Sequence, residues 1–142
     1  GKSTFVNMTL HPALARKLSA LAQEHGRTQA ILAEVNLTGE SQKHGIAADQ
    51  APAFCAALDE LPGLELRGLM CMARYGAAAA ELTQTFAALR GLRDRIQDRT
   101  GAALPDLSMG MSGDFEAAIA AGATIVRLGT AIFGPRRAPG AT

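Results

Sequence analysis

The sequence predicts an α/β fold built on parallel strands, and three observations carry that expectation. Apolar runs of strand length alternate four times with stretches whose apolar residues recur at helical spacing, and the connections between them are short. The last such unit, LSMGMSGDFEAAIAAGATIVRLGTAIFGPR (107–136), reads as strand end, Gly/Ser turn, one-face helix, strand and a second small-residue turn at Gly129-Thr130-Ala131. In a barrel of parallel strands the loops after the last two strands are a favoured place for a phosphate. The first functional expectation is therefore a phosphorylated small ligand held by Ser112 and the Gly129-Thr130 turn.

Taken in order, the chain opens on Gly1-Lys2-Ser3, which matches the tail of a phosphate-binding P-loop pattern. A strand is expected near Phe5. From Pro12 the pattern turns helical, with Leu14, Leu18 and Leu21 as the shared face and Gly26 as the stop. His11 and His25 flank that helix without a metal-spaced partner and read as surface residues. Thr28 to Asn36 is a strand with Ile31, Ala33 and Val35 on one side and Leu32, Glu34 and Asn36 on the other. At the C-terminal end of a barrel strand, Asn36 is placed either to meet a ligand or to cap its loop. The polar loop that follows carries Lys43, read as solvated, and ends at Gly45.

Asp49 to Leu61 is the next helix, closed by Pro62-Gly63, and Leu64 to Met72 a strand covered on both faces. Gly68 within it marks a close backbone approach. Ala77 to Arg99 is a long helix with the stripe Leu82, Phe86, Leu89, Leu92 and Ile96, a solvated charged face, and Gly101 as stop. Leu104 to Ser108 is a strand, Asp114 to Ala121 a helix burying Phe115, Ala118 and Ile119, and Thr124 to Leu128 the last strand.

At 142 residues the chain is one domain's worth, with 48% hydrophobic and 19% charged residues. A net charge of +1 and arginines that are spread out or interleaved with acids argue against nucleic acid as a partner, the one basic pair, Arg136-Arg137, lying in the Pro/Gly/Ala tail, and no apolar run suits a membrane span. Cys55 and Cys71 fall inside apolar periodic segments and read as buried thiols, which points to a reducing, cytoplasmic setting. Asn7-Met8-Thr9 and Asn36-Leu37-Thr38 match the glycosylation triplet, with nothing else to suggest secretion. No spacing of ligating residues suggests a metal.

Charge separates the two turns of the final unit. Asp114 and Glu116 stand in the first turn of the helix after Ser112 and already offset its free N–H groups, so that helix is capped by its own residues. Gly129-Thr130-Ala131-Ile132 has no acid, and a glycine lets the backbone approach a phosphate. Arg127, two residues earlier, would be costly to bury alone. It either pairs with a carboxylate such as Glu34 or points to a ligand, where a guanidinium would hold a heteroaromatic nitrogen unprotonated.

The segments 107–136, ELRGLM (65–70) and EVNLTGESQKHGI (34–46), the last chiefly through Asn36, Gly39-Glu40 and Lys43, resemble the pyridoxal-phosphate homeostasis proteins, relatives of the alanine racemase barrel domain. The resemblance implies a (β/α)8 TIM-barrel fold that holds pyridoxal 5'-phosphate as a lysine imine. It further implies a protein without strong enzymatic activity that buffers the cofactor or hands it to apo-enzymes in the cytoplasm. Ser112, Gly129 and Thr130 would hold the phosphate and Arg127 would face the pyridine nitrogen, weakening the ring as an electron sink. The family's imine lysine lies on the first strand, and none of Lys2, Lys17 or Lys43 matches it; the usual prolines after the RGLM strand are replaced by Met72-Ala73-Arg74.

An eight-stranded barrel needs about 250 residues. The expectation is thus the C-terminal four to five βα units of one cofactor-binding barrel domain over 1–142, with 135–142 as a flexible tail, and with self-association through its open edges. The alternatives are an active racemase-like enzyme, whose catalytic tyrosine would come from elsewhere since Tyr75 has no evident base, a P-loop phosphotransferase fragment, and a remnant without function.

Overall fold

The structure is a computed structural model that describes residues 6–8, 12–39 and 44–135. The expected alternation is present: β1 (Val6–Met8), α1 (Pro12–Glu24), β2 (Gln29–Asn36), β3 (Ile46–Ala47), α2 (Ala51–Asp59), β4 (Leu64–Met70), α3 (Ala79–Thr100), β5 (Asp106–Met111), α4 (Phe115–Ala120), β6 (Ile125–Arg127) and α5 (Thr130–Phe133). All strand pairs are parallel and the main sheet runs β1-β2-β4-β5-β6, with β3 as a two-residue addition to the end of β2. Strand order thus follows chain order. Successive crossovers of one hand then set the helices on a single face of the sheet.

Period-2 alternation divides the strand residues between two environments. Ile31, Ala33 and Val35 of β2, Leu66 and Leu69 of β4, and Leu107 and Met109 of β5 join one apolar cluster with the helices. Leu32, Glu34, Met70 and Ser108 are buried outside that cluster, on the other face. The helices supply Phe54, Cys55 and Leu58 from α2 and Phe86, Leu89, Leu92 and Ile96 from α3, the stripe read from the sequence.

Two helices bury only part of the face expected of them: Leu18 of α1 packs partly buried against the core and Ala118 of α4 is buried, but Leu14, Leu21 and Ile119 are exposed. On α1 the buried positions are Ala15, Ser19 and Ala22, while Leu14 is 41% exposed and Leu21 52%. Small residues let this helix lie close to the β2–β4 layer, and the Ser19 hydroxyl donates to the Pro62 carbonyl at 2.6 Å. On α4 only Ala118 is buried, Phe115 is half-buried and Ile119 is 55% exposed. The reason is again contact distance: Ala118 sits against Gly110, where an added Cβ would meet the Ala118 methyl at 2.6 Å.

Strand boundaries shift for equally local reasons. β5 starts at Asp106 rather than Leu104, because Pro105 has no N–H and Leu104 bonds to α3 instead: its N–H donates to Gln97 Oε1 and its carbonyl accepts from Arg93. Gly68 does mark a close approach, since a Cβ there would lie 1.8 Å from the Asp106 carbonyl oxygen. The β2–β4 register slips beside it, with Ile31 opposite Leu66 but Leu32 opposite Gly68. The turn expected at Gly129-Thr130-Ala131 is the start of the short helix α5.

Candidate functional site

The C-terminal ends of β4, β5 and β6 open into a cavity of about 730 Å³, lined among others by Arg74, Tyr75, Ser112, Arg127, Gly129 and Thr130. Four of the five site residues expected from the sequence therefore meet in one place. Ser112 leaves the end of β5, Gly129 and Thr130 follow β6, and one hydrogen bond ties the two turns: the Ala131 N–H donates to Ser112 Oγ at 3.1 Å. The Ser112 hydroxyl proton stays available to a further acceptor.

Gly129 precedes α5, and its carbonyl accepts from the Ile132 and Phe133 N–H groups. No acceptor among the described residues takes the N–H of Gly129 or Thr130. Nothing lies within 4 Å of where a Gly129 Cβ would stand, so the backbone is open to a ligand there. Two free N–H groups and a hydroxyl make a set of anion donors.

The expectation for the other turn needs correcting in one respect. Asp114 does stand at the head of α4, but its side chain makes no capping bond into the helix. Its Oδ1 accepts the Met111 N–H at 2.5 Å instead, folding the carboxylate back on the end of β5. Asp114 thus lines the cavity as an anion, which leaves the Gly129-Thr130 side as the better place for negative charge.

Arg127 ends β6, and its two expected alternatives resolve against an ion pair. Nη1 donates to Ser108 Oγ at 2.6 Å and Nη2 to the Cys71 carbonyl at 3.0 Å, while no carboxylate among the described residues lies within 4.0 Å. Burial pushes its pKa down, and the fields of Cys71, Glu34 and Asp114 push back. A guanidinium remains charged at neutral pH regardless. Glu34, 5% exposed on β2, has its pKa raised by burial, opposed by His44 and Arg127. Burial also pushes the thiols up, Cys55 to about 11 and Cys71 to about 12, so both are neutral and unreactive at pH 7.

Asn36 is not brought to this cavity. Its Oδ1 accepts from the Thr38 N–H at 3.1 Å and from the Thr38 hydroxyl at 3.2 Å, the loop-capping geometry. Ser108 and the Cys71 carbonyl were not foreseen as parts of the site. Ser108 carried a faint signal, a lone hydroxyl between Leu107 and Met109; a backbone carbonyl carries none. Arg74, where the sequence departs from the family's prolines, pairs bidentately with Glu81 at 2.8 and 2.5 Å at the cavity rim. Tyr75 is exposed beside it. The readings of Gly1-Lys2-Ser3, Thr9, His11, Glu40, Lys43, Arg136 and Arg137 fall outside the described residues. Among the described residues no cluster suits a metal ion, and no helix is long and apolar enough to cross a membrane.

A sequentially ordered parallel α/β sheet with anion donors and an arginine at its C-terminal edge defines the class. The family described as "Alanine racemase, N-terminal domain" matches residues 5–137, and the chain belongs to it. Within it, the chain is similar to curated relatives named "Pyridoxal phosphate homeostasis protein". That of Aquifex aeolicus is 39% identical over 137 residues, covering 96% of this chain and 60% of the relative. That of Synechocystis is 35% identical over 133 residues, covering 94% and 61%. Among solved structures, PipY of Synechococcus elongatus PCC7942 with PLP bound aligns at TM-score 0.84 and 34% identity, over 92% of this chain and 61% of that one. Alanine racemase of Corynebacterium glutamicum, at 18% identity and TM-score 0.65, shares the fold. The chain spans about 60% of the length of the first two curated relatives.

Proposed function

We propose that this chain is the C-terminal part of a barrel that binds pyridoxal 5'-phosphate and serves intracellular homeostasis of that cofactor rather than catalysis. The observation that supports it is the cavity in which the Ser112 hydroxyl, the untaken Gly129 and Thr130 N–H groups and the Arg127 guanidinium converge. The cofactor fits this donor set: a phosphate at the acid-free turn, and a ring nitrogen toward Arg127. The relatives named for the cofactor, and PipY with PLP bound, support the same reading. When bound, the cofactor supplies an aldehyde and an electron-withdrawing pyridine ring. A permanently charged guanidinium beside the ring nitrogen keeps that nitrogen from being protonated, which suits carriage better than carbanion chemistry.

Within this reading the chain's own residues bind and orient; none moves a proton on a substrate. No lysine among the described residues lines the cavity, so these residues hold the cofactor without a covalent bond. Tyr75 stands at the rim with no hydrogen-bond partner among the described residues to act as its base. Hand-on to apo-enzymes in the cytoplasm belongs to the proposal.

The test is a titration of the purified chain with pyridoxal 5'-phosphate, followed by near-ultraviolet absorbance. Binding is expected to be saturable and displaced by inorganic phosphate, and Ser112→Ala to weaken it about tenfold. A chain that gives no saturable change, or one indifferent to Ser112→Ala and to phosphate, rejects the reading. Pairing with a second copy is part of the proposal too, because β1 and β6 each have one unpaired edge among the described residues and Ile132 and Phe133 of α5 are exposed. Sedimentation velocity is expected to show a concentration-dependent dimer; a monomer throughout contradicts it.

A further inference from the structure

The guanidinium of Arg127 is aimed by the two strands beside it, and we propose that Ser108 is the positioning residue that sets that aim. The proposal rests on the reading that Arg127 meets the ring nitrogen of a bound pyridoxal phosphate. Ser108 lies on β5, one strand inward from Arg127, and is 2% exposed on the face away from the helices. Its hydroxyl oxygen accepts Nη1 of Arg127 at 2.6 Å. The Cys71 carbonyl, just past the end of β4, accepts Nη2 at 3.0 Å. The side chain therefore reaches from β6 across β5 to β4. Two acceptors on two different segments fix both the position and the plane of the fork, which one acceptor would leave free to rotate. The acceptors are themselves tied together, since the Cys71 N–H donates to the Ser108 carbonyl at 3.2 Å.

The neutrality of both acceptors is what makes the arrangement useful. Two carboxylates, Glu34 on β2 and Asp114 at the head of α4, act on Arg127 through space, yet neither forms an ion pair with it. A bidentate pair with either would spend the donors on an acid and draw the charge away from the cavity. Ser108 holds the guanidinium short of that collapse and keeps its charge directed at a ligand. A serine suits the place. It is small enough to be buried under a guanidinium, carries an acceptor with no charge, and sits in register opposite Ile125, two residues before Arg127.

The test compares the wild-type chain with Ser108→Ala and Ser108→Thr by two readouts. One is the guanidinium N–H resonances of Arg127 in nitrogen-edited NMR, which report a held fork without any ligand. The other is affinity for pyridoxal 5'-phosphate set beside affinity for inorganic phosphate, which lacks a ring. Ser108→Ala is expected to lose the resonances and about tenfold in pyridoxal phosphate affinity while inorganic phosphate binds as before, and Ser108→Thr to restore both. Retained resonances in Ser108→Ala, or an equal loss for both ligands, overturns the assignment. Lost resonances with pyridoxal phosphate affinity unchanged mean that Ser108 aims Arg127 but the ring is not its target. A wild-type chain that binds no pyridoxal phosphate rejects the proposed function, and the resonances alone then decide the role of Ser108.

Discussion

At the residue scale, the site is a contest over charge in a partly dry place. Arg127 is held by neutral acceptors while Glu34 is buried with no ion-pair partner among the described residues. Burial raises the Glu34 pKa above its usual 4.5 despite the opposing fields of His44 and Arg127. The folded chain therefore holds that proton more tightly than the unfolded chain. Its contribution to stability is fully present below pH 4.5 and is lost as pH rises through the raised folded value. Glu34→Gln is accordingly expected to raise the melting temperature at pH 7 and to bring little or no gain at pH 4. Thermal melts at the two values check this; an equal gain at both, or a loss at pH 7, would mean that Arg127 and His44 outweigh desolvation. Among the individual residues, Ser112, Arg127, Gly129 and Thr130 could be read from the sequence because turn chemistry and an unexpected charge in a strand are local signals. Ser108 and the Cys71 carbonyl could not, since their role exists only once β4, β5 and β6 lie side by side.

At the element scale, strands and the long helix α3 were legible because their patterns are long and their neighbours are apolar. The buried face of α2 was legible too, whereas those of α1 and α4 were read only in part. In α1 and α4 the larger residues Leu14, Leu21 and Ile119 are exposed and Leu18 and Phe115 only partly buried, because close packing on the sheet selects alanine and serine: Ala15, Ser19 and Ala22 in α1, and Ala118 in α4. Hydrophobic periodicity weighs size and apolarity together, so beside Leu18 and Ala118 it also pointed at Leu14, Leu21 and Ile119. The consequence can be measured on α1. Leu21→Lys is expected to change stability by no more than about 0.5 kcal/mol, whereas Ala22→Leu overpacks the interface and costs about 1–3 kcal/mol. Urea unfolding of the two variants gives the comparison, and a larger loss from Leu21→Lys would restore the leucine face as the packed one. Similarly, β5 begins late because Pro105 cannot donate and Leu104 is claimed by Gln97 and Arg93. That competition between a strand and helix side chains has no signature in either segment alone.

At the scale of the whole molecule, the parallel order β1-β2-β4-β5-β6 places every strand's C-terminal end on one rim, and the candidate site gathers on that rim from β4, β5 and β6. This is the edge at which parallel α/β barrels carry their ligands. The fold class followed from alternation and short connections alone, but the closing of the site did not. It depends on Ser112 and Ala131, 19 residues apart, meeting across two turns, and on Arg127 reaching back over β5. The central claim is that this rim holds pyridoxal 5'-phosphate by its phosphate at Ser112, Gly129 and Thr130 and by its ring nitrogen at Arg127. A crystal structure of the chain grown with pyridoxal 5'-phosphate tests it most directly. The account predicts phosphate density within hydrogen-bonding distance of the Ser112 hydroxyl and the Gly129 and Thr130 N–H groups, with the ring nitrogen facing the Arg127 guanidinium. Density for the cofactor elsewhere, or a guanidinium turned onto Glu34 or Asp114 with the ring pointing away from it, would contradict it.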